Sequence, residues 1–356
     1  MNTKFDCDIV NGLANALGGR IDLLEKMLGL KVREGLKYAD IQKIVKSGFA
    51  KEFFDLGDEI MTTYTATDGT VYDFPWRIVD FRDVYWENDP DPHPGMVLMS
   101  KYTTLEAITY GCSTGHIVDV SETVAQEGWY YFGKVDQYRI YLLNLNVGDT
   151  IPREGYITIY KSGINDTLVL NNGYSDYVWT CIRQWLNSDG EAGNWWTPMF
   201  LGDNEPPEHS TYNGFMHGFE SDFLNVVTPT RLVTWHFDNT NKYLIDSYDK
   251  FYVPSAIELY GFSDSDASMN PGNDKYFEYF KKALEKEGYD YPYDKAVNSR
   301  IMYKLDDHTT SANYVATRTN QKMISHIRSM WPMNGRIANL NPSGDPKNQA
   351  PCCVIS

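Results

Sequence analysis

Tyr177-Val178-Trp179-Thr180-Cys181-Ile182-Arg183-Gln184-Trp185-Leu186-Asn187-Ser188, followed by Trp195-Trp196, is the stretch from which the rest of the chain can be read. Val178, Ile182 and Trp185 fall at i, i+4 and i+7, with Trp179 and Leu186 widening the stripe, so the spacing predicts a short helix burying one aromatic face. Asn187-Ser188-Asp189-Gly190 is a stop signal. The two tryptophans beyond it predict a chain that returns across the same core, because a buried indole contributes a large apolar area. Trp179, Trp185 and Trp196 are therefore expected in one core.

Upstream, Val10, Leu13, Leu17, Leu24 and Met27, flanked by Ala14, Ile21 and Leu28, form an apolar stripe broken at Arg20. Such a stripe suits a helix laid on a domain or a short self-associating coil. Gly18-Gly19 weakens it by up to about 1 kcal/mol per glycine, so partner contacts must support it. A second helix is expected over Tyr38 to Val45. From Asp58 the period becomes two: Ile60 to Thr65 and Val71 to Phe74 flank Thr67-Asp68-Gly69, a strong hairpin signal. Trp76 to Phe81 and Met96 to Tyr102 continue as strand, and the proline-rich run Asn88 to Gly95 is expected as loop. Residues 128–172 hold four β-prone runs separated by Gly, Asp or Pro, a small sandwich-like insertion.

Several downstream motifs occur as an ordered set: Cys181-Ile182-Arg183-Gln184-Trp185-Leu186-Asn187, Trp196-Thr197-Pro198, Pro206-Pro207, Gly214-Phe215-Met216-His217-Gly218-Phe219 and Asp222-Phe223-Leu224. Asp249 to Ser255 and Ala350-Pro351-Cys352-Cys353-Val354-Ile355 complete the set. In these motifs residues 60–356 resemble an uncharacterised domain family of gut-bacterial prophages and phages. That family is similar to the C-type-lectin-like fold of formylglycine-generating enzymes and of phage variable receptor-binding proteins. None of the motifs names a reaction.

With 356 residues and 42% hydrophobic content, the chain is long enough for two or three compact units with real cores. A net charge of −16 argues against sequence-independent nucleic-acid binding and against anionic membrane surfaces, since both rely on dense Lys and Arg. No apolar run is long enough to span a bilayer. The 26 tyrosines, 9 tryptophans and 16 phenylalanines suit a binding surface and suit sheets equally. Five unevenly spaced cysteines, no CxxC pair and no signal-like segment in Met1 to Leu30 point to cytoplasmic synthesis without disulfides.

Candidate chemistry is sparse. The seven histidines form no metal-binding pattern, and neither a nucleophile elbow nor a phosphate loop is present. The resemblance implies a comparison with copper-binding oxidase cysteines, but Cys352-Cys353 is a vicinal pair and reads as buried structural thiols. Asp264-Ser265-Asp266 with Asp274, and Glu87, Asp89 and Asp91, read as solvated acidic loops rather than Ca²⁺ ligands. No catalytic residue, metal or cofactor is expected. In the lectin-like phage ligands the last part of the domain forms the ligand-facing surface, and residues 311–349 occupy the corresponding place. There Asn313, Tyr314, Arg318, Asn320, His326, Arg328, Trp331, Asn334, Arg336 and Asn339 mix aromatic and Arg anchors with short polar groups. An irregular terminal hairpin of ordinary loop polarity is the alternative.

The expected protein is therefore α+β: a C-type-lectin-like domain with a β-rich, sandwich-like insertion and an N-terminal helical segment. Residues 1–57 form the attachment or oligomerisation segment, 58–127 the first part of the lectin-like domain, 128–172 the insertion, and 173–356 the remainder with the ligand surface. The resemblance implies a virion protein made in the bacterial cytoplasm, from a tail tip, fibre or capsid surface, that binds a host-surface protein or glycan. Its N-terminal segment would join other virion proteins, as a homo-oligomer, a trimer being the form that suits a fibre. A structural decoration protein, or an enzyme on the formylglycine-generating scaffold, are the alternatives.

Overall fold

The period-two pattern builds a hairpin of β1 (Glu59–Thr65) and β2 (Val71–Trp86), with Ile60 opposite Trp76 and Thr62 opposite Phe74. Its turn works as the Asp-Gly signal requires: Gly69 takes φ +84°, and Asp68 accepts the Thr70 amide at 2.9 Å. The computed structural model describes residues 36–109, 129–131, 139–142, 155–161, 164–170, 177–197, 205–237, 242–260, 275–286, 300–309, 315–316, 327–331, 336–340 and 348–356.

β2 turns straight back into β3 (Asp89–Ser100), so the loop expected over Asn88 to Gly95 is strand instead. Only Glu87 and Asn88 turn, the latter at φ +61°. Pro90, Pro92 and Pro94 occupy every second position, which puts their missing N–H groups on one side of the strand. On that side β16 (Cys352–Ile355) pairs only with Met96 to Met99, and the Pro94 carbonyl accepts the Ser356 hydroxyl at 2.8 Å. Prolines are compatible with an edge that has no ladder to serve.

β16 lies between β3 and β11 in a five-stranded sheet of order β1-β2-β3-β16-β11, with β11 at Phe251–Tyr252 and every pair antiparallel. Cys352 and Cys353 are both fully buried in it, and burial pushes the Cys353 thiol well up, which makes it a packing group rather than a nucleophile. Cys181, by contrast, is disulfide-bonded to a cysteine outside the described residues, which corrects the expectation of a chain without disulfides.

The expected helix starts later than its apolar stripe. Tyr177–Trp179 is a 3₁₀ turn, and Thr180 then caps α3 (Cys181–Leu186) by accepting the Arg183 amide at 3.2 Å. Asn187 ends the helix and acts as a connector: its side chain accepts the Lys250 and Phe251 amides and donates to the Phe251 carbonyl. Trp185 and Trp195 are buried, and their indole N–H groups reach the Asn213 and Tyr212 carbonyls, each at 2.8 Å. Trp196 is half-buried against the same core. The side chain of Trp179 lies outside the described residues.

The Gly-Phe-Met-x-Gly-Phe motif is a core-building turn. A side chain at Gly214 would run into the Ser188 backbone and one at Gly218 into the Tyr64 ring, so only glycine permits both approaches. Phe215 and Phe219 are thereby pressed into rings from the helix and the sheet: Phe215 to Trp185 at 5.2 Å, Phe219 to Phe74 at 5.3 Å and to Phe251 at 5.7 Å. Phe223, on the short α4 (Ser221–Leu224), closes the cluster onto Trp76 at 5.7 Å.

On the opposite face, Ser255 and Glu258 form a reciprocal capping box at the start of α5 (Ala256–Tyr260). Glu258 also binds Arg82 at 3.2 Å; Arg82 bonds Asp80 at 3.0 Å and stacks over Phe277 beside α6 (Glu278–Lys286). Residues 36–57, placed by sequence in the attachment segment, pack on the core as α1 (Tyr38–Lys46) and α2 (Ala50–Phe53). Val45 is fully buried and Gln42 donates to the Ser356 carbonyl at 3.0 Å. The Val10 to Leu28 stripe lies outside the described residues.

The smaller sheets are a parallel pair of β4 (Tyr102–Thr103) with β12 (Tyr303–Lys304) and a ribbon of β9 (Thr230–Phe237) with β10 (Lys242–Asp249). Within the expected insertion, β5 (Trp129–Tyr131), β6 (Arg139–Leu142), β7 (Gly155–Lys161) and β8 (Ile164–Leu170) pair in sequence order. They make one four-stranded meander, where the sequence suggested the two layers of a sandwich. The chain is thus α+β, with mixed helix and chiefly antiparallel sheets. Trp185→Ala is expected to cost about 3–5 kcal/mol in urea unfolding. Val71→Ala, at a side chain 61% exposed, should stay within about 0.5 kcal/mol, and equal midpoints would show the core misassigned.

Candidate functional site

The site expected between Ser311 and Gln349 divides into two parts. Asn348 and Gln349 belong to the core, Gln349 being fully buried, whereas residues 310–347 form an excursion between β12 and β16. Within it β13 (Val315–Ala316), β14 (Ile327–Trp331) and β15 (Arg336–Leu340) make a three-stranded antiparallel sheet, more regular than the Asn-rich sequence suggested. Of the ten candidate residues, Asn313, Tyr314, Arg318, Asn320, His326 and Asn334 lie outside the described residues.

The other four fall on the two longer strands. Arg328 stands opposite Asn339, and Trp331 opposite Arg336. The two cross-strand pairs are three residues apart along β14, an odd step in a period of two, so the positions belong to opposite faces of the sheet. Of the expected centre, Tyr314, Arg328, Trp331 and Arg336, the three described positions are thus divided between the faces, Arg328 on one and Trp331 with Arg336 on the other. Sequence spacing did not reveal this because the candidates were grouped by residue type before the register was known.

The excursion departs from and returns to one strap, Tyr102 to Thr109. At departure β12 pairs with β4, and His308, at φ +54°, stacks on Tyr102 with centroids 4.6 Å apart. At return the Asn348 side chain donates to the Thr104 and Leu105 carbonyls at 2.8 and 2.9 Å. The Gln349 amide donates to the Thr104 hydroxyl, and the Thr104 amide to the Gln349 carbonyl, each at 2.8 Å. Both ends are thus held to the same few residues of a buried strap, which is how a rigid support presents a long segment.

Beside the strap is a polar cluster that no motif signalled. His209 is buried with Nδ1 2.7 Å from Glu205, packs edge-on against Trp195, and has no hydrogen-bond partner at Nε2. Glu208 accepts the Thr109 hydroxyl at 3.1 Å on one oxygen. Its other oxygen is unpartnered, as is the Trp196 indole N–H. Each of these residue types is common enough that the sequence gives no sign of their convergence. Among the described residues no three His, Cys, Asp or Glu side chains are placed to hold a metal. Asp89, one of the acidic candidates, instead bonds the Asp91 amide and His93, bonds that hold its carboxyl below the usual range. Asp264, Asp266 and Asp274 lie outside the described residues.

No protein-family model, curated protein or solved structure matches the chain. An open groove of about 1330 Å³ is lined by residues of β2, β9, β10 and α6, but its buried charged groups Arg82, Asp80 and Glu258 are held together in ion pairs that tie α5 to β2. The moored excursion is the better candidate. Asn348→Ala strips the donor from two strap carbonyls and is expected to cost about 1–3 kcal/mol. Limited proteolysis should then cut within 310–347 sooner than in the parent, and an unchanged cleavage rate would show that the return contact does not hold the excursion.

Proposed function

We propose that this chain is a phage or prophage virion protein of a tail tip, fibre or capsid surface. Its C-type-lectin-like domain presents the 310–347 excursion to a host-surface protein or glycan. The observation that carries the reading is the mooring of both excursion ends on residues 102–105, with Trp331, Arg336, Arg328 and Asn339 set in cross-strand pairs between those ends in the chain. A ligand surface requires anchors on a support that does not move with them, and aromatic and Arg residues are the anchors that recur in such surfaces. The motif resemblance of residues 60–356 to phage lectin-like proteins points the same way, as does the net charge of −16, which disfavours nucleic acid as the partner. Among the described residues no helix is long and apolar enough to cross a membrane. In this reading residues 1–35 attach the domain to other virion proteins, as a homo-oligomer, and the protein is a binder rather than an enzyme.

The test compares two double variants of the full chain, fluorescently labelled, on intact cells from a panel of gut bacteria. Trp331→Ala with Arg336→Ala removes one face's pair, and Arg328→Ala with Asn339→Ala removes the other. Loss of about 30-fold in cell binding is expected for one pair, with the melting temperature retained. Parental binding by both double variants would overturn the proposal.

A further inference from the structure

The strap that holds the excursion also carries a buried acid. Glu106 is 4% exposed, accepts the Tyr64 hydroxyl at 3.0 Å on one carboxyl oxygen, and among the described residues has no partner for the other. Two residues earlier, the Thr104 hydroxyl donates to the Glu106 carbonyl at 2.9 Å while accepting the Gln349 amide that secures the excursion's return. Backbone geometry at the mooring and the seat of the Glu106 side chain are therefore set by the same hydroxyl.

We infer that Glu106 is a proton-operated latch for the 310–347 excursion: the neutral acid seats in the aromatic core and holds the strap, and the carboxylate draws the strap outward and loosens the mooring. A neutral carboxyl tolerates a site with one hydrogen bond, whereas an ion there is poorly solvated and needs more partners than Tyr64 alone provides. The groups facing Glu106 supply no countercharge. Tyr64 comes from β1, Asp68 from the β1–β2 turn adds a like charge, and the rings around Tyr64 are Phe74, Phe215 and Phe219. Farther along the strap, Thr109 meets Glu208, again an acid with one oxygen unpartnered.

Burial raises the Glu106 carboxyl, the Tyr64 hydroxyl partly offsets this, and Asp68 adds to the rise. A carboxyl raised in the folded state stabilises fully below its unfolded value, about 4.3, and that contribution is lost as pH rises through the folded value. The mooring is accordingly tight in acid and looser as pH increases.

Hydrogen exchange of the full chain, followed by mass spectrometry from pH 4.5 to 8.5 and corrected for intrinsic exchange, reads the latch without any ligand. Protection of residues 102–109 and 348–350 is expected to fall about tenfold for each pH unit between about 4.3 and the folded value and to level off above it, with β2 and β3 unchanged. E106Q should flatten the profile. Y64F, which removes the bond favouring the carboxylate, should move the fall to higher pH, and carries the test if E106Q does not fold. PH-independent protection of the strap, the same fall in E106Q, or a fall shared equally by β2 and β3 would each overturn the latch. Because no binding is measured, these results stand apart from the cell-binding test.

Discussion

The core sheet depends on β16 lying between β3 and β11. Cys352 to Ile355 pair with Met99 to Met96 across some 250 residues of sequence, and β11 joins the sheet only through Cys352 and Cys353. Without β16 the sheet reduces to the β1-β2-β3 meander, a local structure. Closing so long a loop costs only a few kcal/mol more than closing a short one, because the entropy grows with the logarithm of length. Such long-range pairing slows folding, however, since the closure must precede the contacts that reward it. The full burial of Cys352, Cys353 and Ile355, with Val354 nearly so, supplies the compensating apolar contact.

The late strand also explains why so many polar contacts converge on residues 348–356. Ser356 is buried; its carbonyl accepts Gln42 and Thr228, while its hydroxyl accepts the Trp86 indole and donates to Pro94. Those donors come from α1, from the segment before β9, and from the β2–β3 hairpin, so one residue joins three parts of the fold. A buried hydroxyl and carbonyl would be costly without such partners. Residues 310–347 are inserted between β12 and this strand, so the segment leads directly into a part of the fold tied by many polar contacts.

The buried polar groups around the strap contrast with the aromatic core next to them. Phe74, Trp76, Phe215, Phe219 and Phe251 fill space without directional demands, and their rings pack against each other at 5.0–6.0 Å. Glu106, Glu208 and His209 have such demands and leave one atom each unmet. Groups of this kind tend to be where a fold responds to its surroundings, because a change of charge or solvation acts most strongly where the dielectric is low.

What the sequence determined by itself is the local structure with short-range causes: the Asp68-Gly69 hairpin, the α3 stripe around Trp185, the inward positions of α1, and the strands of the 128–172 meander. These follow from periodicity and turn chemistry, which act over a few residues. The α+β class follows from them too. Tertiary structure alone decided that Pro90 to Pro94 lie in a strand, since a proline is tolerated only if its side of the ladder is empty, and that depends on where β16 stops. It also decided that 327–331 and 336–340 are paired strands rather than an irregular tail, and with that the positions of Arg328 and Trp331 fall on opposite faces, because side chains alternate along a strand. The convergence of Tyr64 and Gln349 on Thr104 and Glu106 was likewise beyond the sequence: the partners lie 42 and 245 residues from the strap, and only tertiary structure brings them within hydrogen-bond reach.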